Sequence, residues 1–367
     1  MSTISSVNSA SPPEDSNQTL ARQRGPALLV GLFVLLIVVF LLGVGIGAVP
    51  INPNQALAIV LNEFGIDTGV DFEQRQQAVL IVIRLPRVVL GLLVGASLAV
   101  SGAAIQGLFR NPLADPGLIG ISGGAAFSAA VMIVLGNSVL SGVEAILGGF
   151  SIPIAAFLGG VLTTFVIYRI ASIGGKTDIA TMLLAGIAIN ALSVAGVGLM
   201  TFISDDEQLR DIIFWNLGRL TLATWDNLAI VAPLILLGMI PIAFFARPLN
   251  ALLLGESEAG HLGVNVERTK QIVIVCVAMT VGAGVALAGA IGFLGLVVPH
   301  LLRLAVGPDH RFVLPGSALL GASLLIGADL FARTVAVPAE VPLGIVTALI
   351  GGPFFLWLLL RDRSRVN

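Results

Sequence analysis

Residues 94–103 read VGASLAVSGA, and residues 281–290 read VGAGVALAGA. Both copies follow the pattern V-G-A-x-x-A-x-x-G-A, and matching positions lie 187 residues apart. Small residues recur every four positions, which gives a helix one smooth face for close packing. The copies fall in two apolar segments separated by an odd number of membrane crossings, so their helices should run in opposite directions. This arrangement is typical of an inverted-topology repeat; chance similarity between two Gly/Ala-rich helices is the alternative.

The composition predicts an all-α integral membrane protein. Hydrophobic residues make up 56% of the 367 residues and charged residues only 11%, whereas soluble domains carry about 25% charged residues. The net charge of −2 and the lack of any aromatic–basic cluster argue against nucleic acid as a partner. The single cysteine, Cys276, excludes an internal disulfide and a cysteine-based metal cluster.

Hydropathy divides the chain into ten candidate transmembrane helices, since a bilayer core needs about 20 mainly apolar residues per helix. The third is interrupted by glycines and the eighth by Pro299 and His300, and interrupted spans occur where protein or a water-lined cavity covers the backbone. The ten predicted spans are 27–48, 88–108, 117–136, 146–168, 180–203, 228–246, 270–289, 293–306, 312–332 and 341–360.

The two termini are expected on the cytoplasmic side. Residues 1–26 are rich in Ser, Pro and Asn and are predicted to be a disordered tail, followed by the transmembrane domain 27–367. The first apolar run is longer than that of a cleaved signal peptide, which is about 7–15 residues. Ten spans place both termini on one side, which then holds 13 Lys and Arg residues against six on the other. The positive-inside tendency makes that side cytoplasmic.

The sequence contains no complete motif for catalysis or nucleotide binding. The stretch GGKTD at 174–178 resembles the end of a phosphate-binding loop, but Ile170 stands where that loop needs a glycine. The three histidines are scattered along the chain, which argues against a metal site. We therefore expect neither enzyme activity nor nucleotide binding, and ATP-driven transport would need a separate ATPase.

Charged residues at the external ends of the spans are candidates for a partner site. Asp329 lies inside a span, four residues before Arg333; the two can form a structural pair, and proton coupling in a secondary transporter is the alternative. Arg84, Arg87 and Arg333 lie at the ends of spans on the external side of the membrane, where the positive-inside trend predicts few basic residues. They are expected either to anchor lipid headgroups or to dock an acidic external protein.

The longest cytoplasmic loop, 247–270, is apolar near its start. Gly255 and Gly263 are expected to separate two short helices. A short amphipathic helix that projects from the membrane can fill a partner's groove; lying on the lipid surface is the alternative.

Four long stretches resemble the FecCD family, the permease subunits of type II ATP-binding-cassette (ABC) importers for iron–siderophore, haem and cobalamin. The resemblance runs from about residue 27 to the C-terminus. The stretches are IRLPRVVLGLLVGASLAVSGAAIQGLFRNPLADPGLIGISGGAA (83–126), LGESEAGHLGV (254–264), GAIGFLGLVVPHLLRLAVGPDHRFVLPGSALLGASLLIGADLFAR (289–333) and EVPLGIVTALIGGPFFLWLLL (340–360).

This resemblance implies a ten-helix permease of the cell inner membrane that binds no cofactor of its own. It implies a homodimer or pseudo-dimer, two cytoplasmic ATPase subunits that hold ATP and Mg, and one external or periplasmic substrate-binding protein. Ile179 and Ala180 stand where the family has a small polar pair, which is a departure from its pattern. The implied sites are a cytoplasmic gate (Asn111, Leu113, Ile179, Ala180), an ATPase coupling loop at 247–268 (Leu254, Gly255, Glu256, Ala259, Leu262, Gly263) and a binding-protein docking set (Arg84, Arg87, Arg333).

The external segment 205–227 resembles the haem branch of the family, although Arg219 and Leu220 stand where a Ser-Leu pair is more familiar. Haem is therefore the expected substrate, with a ferric siderophore or cobalamin as alternatives within the family. A stand-alone secondary transporter and a non-transporting membrane scaffold are the alternatives from other classes.

Overall fold

The computed structural model describes residues 16–363, with side chains described for 24–357 and 360. Within this range the chain forms sixteen α-helices and one two-stranded hairpin. A π-helical turn at Val79–Arg84 joins α3 to α4, and 3₁₀ turns lie at Pro116–Ile119 and Gly148–Phe150. The elements are α1 Ser16–Gly45, α2 Pro53–Glu63, α3 Gln74–Ala78, α4 Leu85–Leu108, α5 Ile121–Leu135, α6 Ser141–Leu147, α7 Ser151–Ala171, β1 Ser172–Ile173, β2 Lys176–Thr177, α8 Ile179–Ile203, α9 Asp206–Asn216, α10 Trp225–Phe244, α11 Ala246–Leu252, α12 Glu256–His261, α13 Val266–Ala288, α14 Leu294–Val306, α15 His310–Thr334 and α16 Leu343–Arg363.

The all-α membrane fold is confirmed. In the described part of the chain, seven helical segments are long and apolar enough to cross a membrane, and three further apolar helices are shorter. Each of the ten predicted spans coincides with one of these helices, and the two interrupted spans are the short helices α5 and α14. Ten crossings therefore remain a prediction.

Two helices begin more than ten residues earlier than predicted. The first begins at Ser16 rather than 27, so residues 16–26 are helical, while residues 1–15 of the predicted tail lie outside the described range. Residues 20–24 (LARQR) favour a helix, and the helix continues through Pro26. The second helical segment begins at Gln74 rather than 88, because Arg84 and Arg87 do not end the helix but are buried within it.

Helix α4 forms the centre of the bundle and packs against α10, α13, α14 and α15. It is apolar on all sides and buried along almost its whole length, as expected for a core helix. Gly95 meets Gly321 of α15 backbone to backbone, because a Cβ on either would overlap the other's carbonyl oxygen. Gly102 meets the carbonyl of Gly295 in α14 in the same way. The prediction that the small residues of this helix serve close packing is confirmed.

The second copy of the repeat faces the first, but its end differs. Gly284 of α13 packs against Val94 and Ser97 of α4. Helix α13 ends at Ala288, and Gly289 has a φ of 71°, whereas the equivalent Gly102 lies inside α4. A Cβ on Gly289 would overlap the carbonyl of Trp215, so this glycine serves a turn rather than a helix face.

Helices α1, α8 and α10 present apolar side chains outward. Only 17% of the residues in an 18-residue apolar stretch of α8 are buried. Leu192 and Phe202 on this helix are 71% and 85% exposed. In a membrane such surfaces are covered by lipid or by another protein chain.

Candidate gate and coupling site

The predicted site residues lie at opposite ends of the bundle. We call the end with the loop 109–120, the hairpin and α11–α12 the gate end. We call the opposite end, where α4 begins and α15 finishes, the arginine end. All predicted gate and coupling residues lie at the gate end, and all three predicted docking arginines lie at the arginine end.

The loop 109–120, here called the NPL loop, has a rigid turn at its centre. Arg110 adopts a φ of 49°, which reverses the chain after α4. The Asn111 side-chain oxygen then accepts a hydrogen bond of 2.9 Å from the Leu113 amide, as in an Asx turn. This turn presents Leu113, which is 45% exposed, so its position is determined by Asn111.

The far side of the NPL loop is anchored to α8. Asp115 accepts a hydrogen bond of 2.7 Å from the Gly117 amide; burial raises the pKa of the Asp115 carboxyl, and this bond opposes the rise. Asn190 of α8 donates to the Gly117 carbonyl at 3.0 Å. Asn190 was not among the predicted site residues. The sequence feature that could have identified it is an amide side chain inside an apolar span.

The hairpin β1–β2 leads directly into the second predicted gate pair. Gly174 and Gly175 have φ values of 61° and 78°, as a two-residue type I′ turn requires. Asp178 then caps α8 by accepting a 2.8 Å bond from the Thr181 amide and a 2.6 Å bond from its hydroxyl. These two bonds, the hydroxyl's first, lower the pKa of the Asp178 carboxyl. Ile179 and Ala180 therefore form the first turn of α8, with Ala180 exposed.

The predicted coupling loop forms two short helices, α11 and α12, as expected. Gly255, with a φ of 131°, separates them, and Gly263, with a φ of 82°, follows them. Leu254 and Leu262 are 67% and 65% exposed, whereas Ala259 is fully buried. The loop is thus held by one face and presents two leucines on the other.

One cavity brings part of the gate and the coupling loop together. It has a volume of about 810 Å³, and its lining includes Ile179, Ala180, Glu256 and Lys270. Asn111 instead lines a neighbouring cavity of about 210 Å³. The first cavity therefore places the start of α8 beside α12.

Arg84 and Arg87 are buried, and the Arg333 side chain is only 8% exposed, so none of the three predicted docking arginines is freely exposed. Arg87 makes bonds of 2.8–3.1 Å to Asp329 and two bonds of 2.9 Å to Glu340. The expected pair of Asp329 with Arg333 is present but longer, at 3.7 Å. Sequence reasoning missed Arg87 as the main partner of Asp329, because no local spacing connects them.

Arg84 and Arg333 also bind the backbone at the end of α1. Arg84 donates to the carbonyls of Val44, at 3.1 Å, and Gly45, at 2.8 Å. Arg333 donates to the carbonyl of Gly43. Cations near a helix C-terminus satisfy its unpaired carbonyls, so these two arginines fasten α1 to the bundle.

The fold defines a class, the all-α multi-pass membrane protein. The sequence profile of the FecCD transport family matches residues 35–361. The chain belongs to the FecCD transport family.

Related proteins cover nearly the whole chain. The hemin transport system permease protein of Yersinia pestis is 45% identical, over 93% of this chain and 97% of its own length. The cobalamin import system permease protein of Halobacterium salinarum is 39% identical, over 94% and 98%. A solved structure described as an inward-facing metal-chelate type ABC transporter aligns with a TM-score of 0.78 at 32% identity, over 92% of this chain and 99% of its own.

Proposed function

We propose that this permease carries haem across the inner membrane, using ATP that separate subunits hydrolyse. The observation that carries the substrate is the 45% identity to a hemin permease across 93% of the chain. A cobalamin permease is 39% identical, so cobalamin, like a ferric siderophore, is the competing substrate within the family. ATP and Mg belong to the ATPase subunits in this proposal, and the chain itself holds no cofactor.

The test is a comparison of substrates on one complex. The permease is reconstituted in lipid nanodiscs with its ATPase subunits and its binding protein. Hemin, a ferric siderophore and cobalamin are then added in turn while ATP hydrolysis is measured. We expect hemin to give the largest stimulation, and a larger response to cobalamin or to the siderophore would overturn the haem assignment.

The orientation belongs to the same proposal. The gate end faces the cytoplasm, together with both termini, because 13 of the 19 Lys and Arg residues lie on that side. The exposed Leu254 and Leu262 on the coupling loop would enter a groove of one ATPase subunit. The outward apolar face of α8 would meet a second copy of the chain in a homodimer.

The gate blocks the pathway rather than binding the substrate. In this proposal Leu113, presented by the turn at Asn111, and the first turn of α8 at Ile179 and Ala180 narrow the pathway at the cytoplasmic side. Apolar and small side chains here give a seal without a strong attraction for the cargo, which suits a gate that must release it.

Docking of the binding protein would use the arginine end. Arg84, Arg87 and Arg333 are buried against the protein's own groups, but the Glu340 side chain that covers Arg87 is 41% exposed. A carboxylate of the binding protein could replace Glu340 on the Arg87 guanidinium, because a guanidinium binds carboxylates in a two-pronged geometry. Docking is then an exchange of one carboxylate for another.

A further inference from the structure

All three polar backbone and side-chain groups of Thr177, the last hairpin residue, bind α13. Its amide donates to Glu267 Oε2 at 2.9 Å, and its hydroxyl donates to Glu267 Oε1. Its carbonyl accepts from Lys270 Nζ at 2.9 Å. Thr177 is only 3% exposed, and it lines the same cavity as Glu267 and Lys270. The residue two positions before Ile179 is thus fixed to α13 on every polar side.

Lys270 holds a second partner at the same nitrogen. Its Nζ lies 2.8 Å from Oε2 of Glu256, the first residue of α12. The Lys270 side chain is 4% exposed, whereas that of Glu256 is 40% exposed. One ammonium therefore bridges the coupling loop to the hairpin carbonyl that precedes the gate.

A buried lysine needs a reason, because an ammonium removed from water is costly unless it is paired. Lys270 lies in the first turns of α13, at the start of the predicted span 270–289, and is one of the 13 Lys and Arg residues that the sequence assigns to the cytoplasmic side. The structure instead turns it inward, between two acceptors on different elements. An ion pair alone would need only Glu256, so the bond to the Thr177 carbonyl is the distinctive feature.

We propose that Lys270 is a positioning residue that transmits movement of α12 to the gate. The route runs from Glu256 through Lys270 to Thr177, and from there through the Asp178 cap to the first turn of α8. A pull on α12 by an ATPase subunit shifts the hairpin because both acceptors share one Nζ. This inference rests on the proposed function, since it requires that ATPase subunits act on α12.

The key variant is Lys270→Met, which keeps the length of the stem but removes both bonds. Lys270→Arg keeps a charged donor for both acceptors and should restore transmission. Lys176→Met is the matched control, because Lys176 lines the same cavity and is exposed on the same hairpin. If Lys270→Met does not fold, Glu256→Gln weakens the same link at its half-exposed end.

The gate is followed by a distance between two spin labels in one chain. Cysteines are introduced at Leu184, which lies one turn beyond the gate pair on α8 and is 69% exposed, and, as a reference at the arginine end, at Ile66, in a Cys276→Ala background. Labelled chains are diluted with unlabelled ones so that each complex holds one pair. We expect the distance to change between nucleotide-free and ATP-trapped complexes in the parent, Lys270→Arg and Lys176→Met proteins. In Lys270→Met the change should fall about threefold or more, and substrate carried per ATP about tenfold, as for loss of a charged hydrogen bond.

The outcomes separate the two proposals. An equal distance change in Lys270→Met and the parent overturns the role of Lys270 and leaves the permease function intact. A loss of the change in Lys176→Met as well also overturns it, because the effect would then follow from the charge of the cavity. A parent protein that shows no response to nucleotide with the ATPase subunits bound overturns the proposed function itself, and the relay with it.

Discussion

The guanidinium of Arg87 in α4 donates hydrogen bonds of 2.8, 2.9 and 3.1 Å to the carboxylate of Asp329 in α15. Both side chains are almost fully buried, at 9% and 2% exposure. The contact joins two helices that are 242 residues apart in sequence. The Asp329 carboxylate also lies 3.7 Å from Arg333 Nε, so one carboxylate is paired with two arginines.

Asp329→Asn should destabilise the fold, because it leaves Arg87 and Arg333 without their shared buried carboxylate. Loss of one partner of a buried ion pair costs about 3–5 kcal/mol, which should lower the thermal unfolding midpoint in detergent by several degrees. Asp226→Asn, at an exposed site, is the matched control and should have almost no effect. Equal midpoints for the two variants would show that the Arg87 contact carries no stability.

Glu340→Gln should strengthen docking of an acidic binding protein, because it removes the negative charge that competes for Arg87. Arg87→Gln should weaken the same docking. Both effects should shrink as salt is raised, since exposed charges are screened over a Debye length of about 8–10 Å. Surface plasmon resonance on nanodisc-embedded permease measures this, and identical affinities for both variants at low salt would exclude the arginine end as the docking site.

Leu254→Asp should weaken assembly with the ATPase subunits. A buried leucine side chain contributes about 1.5–3 kcal/mol, so affinity should fall by about tenfold or more. Ile66→Asp is the control, because Ile66 is 53% exposed at the opposite end of the bundle. Pull-down of ATPase subunits at varied concentration gives the two affinities, and an equal loss in both variants would refute the coupling-loop assignment.

Gly102→Ala should destabilise the bundle, because the added methyl overlaps the Gly295 carbonyl. Overpacking of this kind costs about 1–3 kcal/mol. Gly31→Ala places the same methyl on α1 where nothing lies within 4 Å, and it should be tolerated. Thermal unfolding of the two variants tests the close approach of α4 and α14; a stable Gly102→Ala protein would contradict it.

Much of the fold followed from simple physical signals. Hydropathy located every apolar helix, and the small-residue spacing around Gly95 predicted the tight face of α4. Gly255 and Gly263 predicted the breaks in the coupling loop. Each of these signals is local, because it depends on residues within a few turns of each other.

Contacts between distant elements could not be predicted in this way. Arg333 lies four residues after Asp329, so helical spacing predicted that pair. The closer partner of Asp329, Arg87, is distant in sequence and was not predicted. Lys270 was counted among the cytoplasmic charges, because a sequence does not show that its stem points inward. The stretch at 174–178 showed only a failed phosphate-binding loop, whereas pairing of its backbone makes it a hairpin.

The most direct test of the account is haem uptake by the whole complex in proteoliposomes. Permease, ATPase subunits and binding protein are assembled with ATP enclosed on the ATPase side, and hemin entry is followed with cobalamin and a ferric siderophore in parallel. We predict hemin uptake that needs both ATP and the binding protein and exceeds the uptake of the other two. Uptake by the permease alone under an ion gradient, or preferred uptake of cobalamin, would contradict the account.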